Sequence, residues 1–203
     1  ISKQRRLVCM NRKDLFACPF YFDKIALDDK QVMNAIDNNT FLGAMSINEN
    51  VLETDFKFLF DPIDKIVSEI MSQMEFKEYK IFTSWISKTV AGYRHGQDHM
   101  HSNSFFSGVL YLTDQASPII FRHPLPWRWN TSRHDGTDGI LKSNAFVFEP
   151  KKGDIVLFPS HVFHIISPHK KTICRYSIAF NVHPTGQYGT RDSTINVSIH
   201  PNK

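Results

Sequence analysis

The sequence predicts a mainly β protein with flanking helices, because short apolar stretches fill its C-terminal two-thirds and helical patterns occur only before them. These stretches are rich in Phe, Ile, Val and Tyr and are separated by Gly, Pro, Asp and Asn. They lie at 80–90, 105–113, 118–122, 144–149, 154–158, 162–167 and 173–182. Many short strands with turn residues between them indicate a β-sandwich or a barrel. Helices that precede the strands are expected to cover one face of a sheet.

Two helices and one edge strand are predicted in the N-terminal third. Residues 15–22 are apolar enough for a strand, but Pro19 restricts them to a sheet edge or a broken strand. A short helix is predicted over 28–37. The next helix is predicted to have Asp61 as its cap and Pro62 at its first position. Its apolar residues recur at helical spacing, which predicts packing on a sheet, and they are Ile63, Ile66, Val67, Ile70, Met71 and Met74.

The length and composition indicate one globular domain. The chain has 203 residues, of which 41% are hydrophobic and 22% are charged, values typical of globular proteins. We predict a single domain over 1–203, in which residues 1–78 support a β core at 79–200. The net charge of +4 is modest and no run of like charges reaches five residues, so no nucleic-acid-binding tail is predicted.

The cysteines and the hydropathy pattern indicate the cellular compartment in which the protein is expected. The three cysteines are widely spaced and form no C-x-x-C motif, which argues against a disulfide framework and a cysteine zinc site. Free thiols fit a reducing compartment. The sequence shows no signal peptide, and no apolar stretch approaches the ~18 residues that a membrane span needs. We therefore predict a cytoplasmic protein without membrane binding.

The first chemical signal is a pair of histidines, His99 and His101, separated by one residue. In a strand, side chains two apart point to the same face, so these imidazoles are predicted to project together. Two such imidazoles can take neighbouring positions on a metal ion. If the strand continued, Asn103, Ser107 and Tyr111 would share this face, although a turn at Asn103 would break the alternation. Taken alone, the pair fits hydrogen-bonded surface histidines as well as it fits a metal site.

A third histidine, His164, lies on a later predicted strand. A Gly-Asp turn at 153–154 leads into an apolar strand, residues 159–160 turn the chain, and the following strand carries His164. His161 is predicted to point to the opposite face, so His164 is the preferred ligand candidate. His95 and His161 remain substitutes. Asp98 is the nearest carboxylate to the pair, but it alternates to the opposite face from His99.

The last predicted strand carries Arg175 among apolar residues. Arg175, Ser177 and Asn181 face one way. The other face is formed by Cys174, Tyr176, Ile178, Phe180 and Val182. A buried arginine is costly unless an anion meets it, and its planar fork suits a carboxylate. A structural ion pair with an aspartate or a glutamate is the alternative, and the arginine alone does not decide between them.

In combination, these residues resemble a known family. Two histidines on an early strand, a third on a late strand and an arginine-x-serine on the next follow the order found in double-stranded β-helix oxygenases. The chain resembles the 2-oxoglutarate/iron(II) oxygenases common in marine bacteria and their phages, which are more distantly related to prolyl hydroxylases. The matching stretches are 15–16 with Pro19, Trp85, 99–101, the SGVLYL at 107–112, 149–150 with 153–154, 158–160 with His164, and the RYSIAFN at 175–181.

The resemblance implies a fold, a reaction and cofactors. It implies a double-stranded β-helix core of the jelly-roll, cupin-like type. It implies an oxidoreductase, a dioxygenase that uses Fe(II), O2 and 2-oxoglutarate, hydroxylates an unidentified organic or peptidyl substrate, and releases succinate and CO2. By the same resemblance, His99, His101 and His164 would hold the iron. Arg175 would pair with the distal carboxylate of 2-oxoglutarate, with hydrogen bonds added by Ser177 and Tyr111.

One departure from the wider superfamily leaves alternatives open. That superfamily usually has His-x-Asp and a distant histidine, the donor set suited to Fe(II), whereas this chain has His101 in place of the aspartate. Three neutral imidazoles also suit zinc or copper. One alternative is therefore a cupin-like metal-binding module without turnover. The other is a three-histidine dioxygenase that needs no 2-oxoglutarate, which a salt bridge from Arg175 to a protein carboxylate would favour.

A long polar loop is the candidate for substrate binding. Residues 122–143 carry Trp127, Arg128 and Trp129 among further basic residues. Loops of this length are usually functional or mobile. The two tryptophans and the arginine are predicted to contact the substrate, or alternatively to pin the loop to the β core.

Overall fold

The computed structural model describes residues 18–90, 92, 97–114, 116–123, 145–168 and 173–200. The strands are β1 (Tyr21–Lys24), β2 (Phe41–Leu42), β3 (Met45–Ser46), β4 (Glu78–Thr89), β5 (Phe106–Tyr111), β6 (Ile119–Arg122), β7 (Ala145–Phe148), β8 (Asp154–Pro159), β9 (His164–Ile166), β10 (Arg175–Tyr188) and β11 (Ile195–Val197). The helices are α1 (Asp29–Asp37) and α2 (Phe60–Gln73). The predicted mainly β protein with flanking helices is confirmed.

The strands form two antiparallel sheets. The large sheet has the order β1-β8-β5-β10-β4-β3-β2, with β11 paired to β10, and the small sheet has the order β7-β6-β9. The long strand β10 therefore lies between β5 and β4, which precede it in the chain. The predicted edge strand is β1, at one end of the large sheet, although it begins at Tyr21 and part of the predicted range lies outside the described residues.

The large sheet has a hydrophobic core on each face. One core joins helices α1 and α2 to the sheet, with Ile63, Val67 and Met71 of α2 in the same cluster as Leu110 and Ile178 of the sheet. The predicted packing of the apolar helix face is confirmed except at Met74, which lies just beyond the end of α2 and is 39% exposed. The second core includes Tyr111 and Phe158 of the large sheet and Ile119 and Phe121 of the small sheet. The second core thus fills the space between the two sheets.

The start of α2 differs from the prediction. A 3-10 helix at Lys57–Leu59 runs directly into α2, so Leu59 occupies the cap position and caps nothing with its side chain. Asp61 lies in the first turn, where its charge is favourable to the helix dipole. Pro62 is also in the first turn, where a missing backbone N–H costs no helical bond. The predicted cap at Asp61 and first position at Pro62 are therefore wrong.

The start of α1 matches its prediction closely. Asp28 caps the helix by accepting a hydrogen bond from the backbone N of Gln31 at 3.0 Å. Strands β1 and β3, which precede residue 79, pair with β8 and β4 in the large sheet. The division into 1–78 and 79–200 stays a prediction. In the part of the chain that the structure describes, no helix combines the length and the apolar character needed to cross a membrane.

Candidate metal centre

The three predicted histidines lie together. One ligand atom from each of His99, His101 and His164 can be chosen so that all three lie within 4.8 Å of one another. The centroids of the His99 and His164 rings are 4.4 Å apart, and His101 lies 5.3 Å from each. His164 is buried, and the other two are half-buried. The cluster therefore has the size of a metal site with an accessible side.

Backbone pairing places these histidines. The N–H of His99 donates to the carbonyl of His164 at 3.0 Å, and the N–H of His164 donates back to His99 at 2.9 Å. His101 donates its backbone N–H to the carbonyl of Ser160 at 3.0 Å. Extended backbone from 99 to 101 keeps both imidazoles on one face, as the alternation predicts. Asn103 has a φ of 58°, so the chain turns there and the alternation does not reach β5 unbroken.

Hydrogen bonds determine which ring nitrogen of two histidines is available. Nδ1 of His99 lies 2.9 Å from the carbonyl of Gln97, and Nδ1 of His164 lies 3.0 Å from the carbonyl of Val162. A carbonyl only accepts, so both Nδ1 atoms carry the proton. In the neutral rings, Nε2 then has a free lone pair. This arrangement, in which the second nitrogen is fixed by an acceptor, is the one that metal-binding histidines use.

Burial keeps two of the imidazoles neutral. It lowers the pKa of His101 to about 4, and the neighbouring His99 acts in the same direction. Burial also lowers the pKa of His164 to about 4, partly opposed by the hydrogen bond to the Val162 carbonyl. Neutral imidazoles are the form that binds a metal, so at neutral pH neither ring has to lose a proton first.

The neighbouring candidates lie elsewhere. His161 is exposed, as expected for the opposite face. Asp98 forms an ion pair with Arg122, whose Nε lies 3.2 Å from its Oδ2, and it does not belong to the histidine cluster. His95 lies outside the described residues. Among the described residues, the cluster therefore offers three imidazoles and no carboxylate.

Arg175 is buried with unused hydrogen-bonding capacity. It is 1% exposed, and within the described part of the chain Nε and Nη2 have no hydrogen-bond partner. Burial lowers the pKa of the guanidinium, and the charge of Tyr111 acts in the opposite direction. No carboxylate among the described residues pairs with Arg175. Because an unpaired buried guanidinium is costly, its surroundings fit an anion that enters from outside the chain.

Three further polar side chains surround Arg175. Thr89 of β4 lies directly opposite Arg175, and Tyr111 of β5 lies opposite Ser177. The hydroxyls of Thr89 and Tyr111 are both buried, and neither has a partner in the segments that the structure describes. Burial raises the pKa of Tyr111 and the positive charge of Arg175 opposes the rise, so the phenol keeps its proton and can donate it. Ser177 is 2% exposed. The pocket therefore offers hydroxyl and guanidinium donors to a carboxylate.

The arginine pocket and the histidine cluster lie on the same face of the large sheet. Along β4, Thr89 and Trp85 point to one face because their positions differ by an even number. Thr89 faces Arg175, whereas the Trp85 ring lies 5.9 Å from the ring of His101. His164 contacts Phe158 of the second core, at 4.8 Å between ring centroids. One interior space between the two sheets thus contains both groups.

Some of these residues were missed or lie outside the described structure. Thr89 carries no motif, and only the strand register reveals its position opposite Arg175. Trp127, Arg128 and Trp129 lie outside the described residues, so their contact with substrate stays a prediction.

The donor sets fit Fe(II) and 2-oxoglutarate. Nitrogen ligands on one side of a cluster suit non-haem iron, although they also suit zinc and copper. The orphaned atoms of Arg175, Thr89 and Tyr111 fit a carboxylate, because each is a donor that has no partner among the described residues.

Sequence comparison agrees with these donor sets. Residues 83–181, which are 99 of the 203 residues, match a family model described as "Putative 2OG-Fe(II) oxygenase", where 2OG stands for 2-oxoglutarate. The matched range contains the three histidines and the arginine. A comparison with curated protein sequences found no match.

Solved structures share the fold at low identity. An oxidoreductase of the 2OG-Fe(II) oxygenase family from Burkholderia pseudomallei has a TM-score of 0.54 and 13% identity, with 76% of each chain covered. HygX from Streptomyces hygroscopicus, with nickel, 2-oxoglutarate and hygromycin B bound, has a TM-score of 0.56 and 9% identity over 83% of this chain and 84% of its own. A prolyl-4-hydroxylase from Pseudomonas putida has a TM-score of 0.52 and 13% identity over 83% and 94%. These likenesses confirm the predicted double-stranded β-helix core.

Proposed function

We propose that this chain, in which residues 83–181 match a family model of 2OG-Fe(II) oxygenases, is an oxygenase with Fe(II) and 2-oxoglutarate as cofactors and binds iron through His99, His101 and His164. The support is the proximity of the three rings and the free Nε2 atoms of His99 and His164. The backbone hydrogen bonds between His99 and His164 fix the positions of these two residues in the metal-free protein. When bound, the iron and the keto acid together supply an O2-derived oxidant able to break a C–H bond, with release of succinate and CO2.

Arg175 is the residue that carries the proposal for 2-oxoglutarate. Its buried Nε and Nη2 have no partner among the residues described, and it faces the same interior space as the histidines. In our proposal it binds the distal carboxylate, while the hydroxyls of Thr89, Tyr111 and Ser177 add hydrogen bonds. Because these groups lie on neighbouring strands of one sheet, they hold the co-substrate in one orientation and replace the water that a carboxylate loses on entry.

The substrate is proposed only as a class. The reaction is the hydroxylation of an organic or peptidyl substrate that enters from the side of the cluster where His99 and His101 are half-buried. Trp127, Arg128 and Trp129 are proposed as its contacts. An origin in marine bacteria or their phages and a cytoplasmic location remain parts of the proposal that rest on the sequence.

The experiment that tests the proposal is anaerobic titration of the Fe(II)-loaded protein with 2-oxoglutarate. A weak visible charge-transfer band is expected when the keto acid chelates the iron in the same site. Absence of the band from protein shown to hold iron would contradict the shared site. The same titration on Arg175→Met separates iron binding from 2-oxoglutarate binding. This variant should keep its iron and lose the band at moderate 2-oxoglutarate concentrations.

A metal-binding module without turnover is the second candidate. The observation that favours it is that the histidine cluster, among the described residues, contains no carboxylate. It predicts full occupancy by metal and no succinate with any substrate offered. The salt bridge that would favour a dioxygenase independent of 2-oxoglutarate is not found among the described residues, since Arg175 pairs with no carboxylate there.

A further inference from the structure

A chain of polar side chains lies beside the candidate metal centre and belongs to neither set of ligands. We call it the serine chain; its members are Ser104, Ser107, Ser160 and Asn181. Oγ of Ser160 lies 2.8 Å from Oγ of Ser104 and 2.8 Å from Oγ of Ser107. Oγ of Ser107 lies 2.9 Å from Oδ1 of Asn181, and Oγ of Ser104 lies 2.8 Å from the carbonyl oxygen of Phe106. Four short contacts thus run in series.

Three members of the serine chain are shielded from water, and the fourth, Ser104, is half-buried. Ser160 is 0% exposed, Ser107 is 2% exposed and Asn181 is 7% exposed. Buried polar groups need partners, because an unsatisfied one costs its full desolvation. Each of the four contacts is therefore expected to contain a hydrogen. Two oxygen atoms held at 2.8 Å without a hydrogen between them would repel each other.

Counting hydrogens gives the serine chain a direction. The carbonyl of Phe106 cannot donate, so the single hydroxyl hydrogen of Ser104 points at it. Ser104 must then accept from Ser160, and Ser160 must accept from Ser107. Because Ser107 donates its single hydroxyl hydrogen to Ser160, the contact between Ser107 and Asn181 needs a hydrogen from the Asn181 amide.

Only one orientation of the Asn181 amide supplies this hydrogen. The oxygen and nitrogen ends of a side-chain amide have nearly the same shape, and hydrogen-bond partners decide which end faces a neighbour. Turned so that Nδ2 faces Ser107, the amide donates and all four contacts are satisfied. With Oδ1 facing Ser107, three hydroxyl hydrogens would have to serve four contacts.

The main chain of Ser160 connects the serine chain to a metal ligand. The carbonyl of Ser160 accepts from the backbone N–H of His101 at 3.0 Å, and the N–H of Ser160 donates to the carbonyl of Phe105 at 3.1 Å. Ser160 therefore bonds to both ends of the turn that contains Asn103, whose φ is 58°. Its side chain bonds to Ser104 inside the same turn. This residue holds the turn that follows His101 against the end of β8.

We propose that Ser160 is a positioning residue for the metal centre, held in place by a serine chain that donates in one direction, from the Asn181 amide through Ser107 and Ser160 to Ser104. The proposal rests on the proposed function in one respect, namely that His101 is a metal ligand. Ser160 would not touch metal, co-substrate or substrate. It would act by fixing the backbone from which His101 reaches the metal.

The test compares Ser160→Ala with Ser84→Ala. Ser84 is a matched control because it is 2% exposed and its Oγ accepts one hydrogen bond, from the backbone N of Leu52 at 3.0 Å. Both variants should lower the melting temperature. Only Ser160→Ala is expected to weaken binding of Co(II), used as a probe in place of iron, by about tenfold or more, as for residues that orient metal ligands. It should also change the visible Co(II) spectrum, which reports ligand geometry.

A second measurement does not depend on metal. Amide hydrogen exchange of His101 in the metal-free protein should be faster in Ser160→Ala than in Ser84→Ala, because the acceptor of that amide is no longer held. If the parent protein takes up no Co(II) but the His101 amide still exchanges faster in Ser160→Ala than in Ser84→Ala, the proposed function is wrong and the role of the serine chain in holding His101 is supported. If the parent binds Co(II) and the two variants behave alike in both measurements, the positioning role is wrong.

The direction of the serine chain has its own test. At neutral pH, Asn181→Asp retains the shape of the side chain but cannot donate, so it should speed His101 exchange and weaken Co(II) binding. Parent-like values in this variant would overturn the direction. In the parent protein, NMR contacts from the Asn181 amide hydrogens to the β-hydrogens of Ser107 are expected, and their absence would overturn it without requiring any variant to fold.

Discussion

Thr89 lies directly opposite Arg175 on adjacent strands. Both residues are 1% exposed, and both have polar atoms without a partner in the described part of the chain. Two neighbouring donors left unsatisfied in a protein interior are unusual, because each costs desolvation free energy. Their proximity is explained if a carboxylate occupies the space between them. The predictions for 2-oxoglutarate binding follow from this pair.

Replacing Arg175 should remove the co-substrate and leave the metal. Hydrogen bonds to charged groups contribute about 1.5–3 kcal/mol each, so losing two should weaken 2-oxoglutarate binding by roughly 100-fold or more. We expect this for Arg175→Met by anaerobic calorimetry, with Fe(II) affinity unchanged. Arg175→Lys keeps the charge but loses the planar fork, so its affinity for 2-oxoglutarate should lie between that of the parent and that of Arg175→Met. Equal 2-oxoglutarate affinity in Arg175→Met and the parent would make Arg175 structural.

Thr89→Val should have opposite effects on stability and on binding. Valine has nearly the shape of threonine and removes the unpaired hydroxyl, so the free energy of unfolding without 2-oxoglutarate should rise by about 1 kcal/mol. Binding of 2-oxoglutarate should weaken at the same time. Thr83→Val is the control, because the Thr83 hydroxyl donates to the Glu49 carbonyl at 3.0 Å, away from the pocket. A less stable Thr89→Val protein with unchanged binding would contradict the pocket.

Metal binding should require each of the three clustered histidines. Alanine at His99, His101 or His164 leaves two ligands, and we expect loss of stoichiometric Fe(II) in each case, measured by metal analysis after desalting. His161→Ala is the matched control, since His161 is exposed and lies three residues before His164. Retention of one equivalent of iron in His101→Ala would mean that another group completes the site.

Acid should destabilise the metal-free protein through buried imidazoles. The pKa of His101 and of His164 is about 4 in the folded protein, against about 6.5 in an unfolded chain. Between these values the unfolded state binds more protons, so stability falls as pH falls from about 6.5 to about 4. For His164, which is 4% exposed, the loss is on the order of 3 kcal/mol.

Urea unfolding in EDTA from pH 8 to pH 4 measures this loss. His164→Gln should flatten the dependence in the stated window, because glutamine binds no proton. His161→Gln should retain the parent slope. If the free energy of unfolding depends on pH in both variants as it does in the parent, carboxylates account for the acid sensitivity.

Gly108 should be intolerant of any side chain. A Cβ at this position would lie 2.1 Å from Cζ of Phe180, whose ring covers the glycine. Gly108→Ala is expected to destabilise the fold by about 2–3 kcal/mol, as overpacking of a rigid core does. Adding Phe180→Leu should recover part of that loss, so the double variant should be more stable than the sum of the single changes predicts. Strict additivity would argue against the contact.

The sequence could predict those site residues whose position follows from strand alternation. His99 and His101 are two apart, Arg175 and Ser177 are two apart, and both pairs share a face in the structure. Thr89 and Ser160 could not be predicted, because their significance depends on strand register and turn geometry. A threonine at the end of a strand is ordinary until Arg175 is found opposite.

The helix boundaries illustrate a similar limit. The helix predicted over 28–37 is observed at Asp29–Asp37, and Asp28 caps it by accepting a hydrogen bond from the backbone N–H of Gln31. Asp61 and Pro62 have the composition of a helix start, but the 3-10 helix at Lys57–Leu59 moves the start of α2 upstream. Burial of Phe56 and Leu59 selects that turn, and such burial is a tertiary effect.

The position of β10 has a consequence for how the chain folds during its synthesis on the ribosome. The long strand that carries Arg175 is synthesised after β4 and β5, yet it lies between them. Until it has emerged, a growing chain presents two facing strand edges with nothing between them, which is a template for self-association. Nascent chains that stall before residue 173 should therefore depend on chaperones, and the pocket around Arg175 cannot form before the last long strand is inserted.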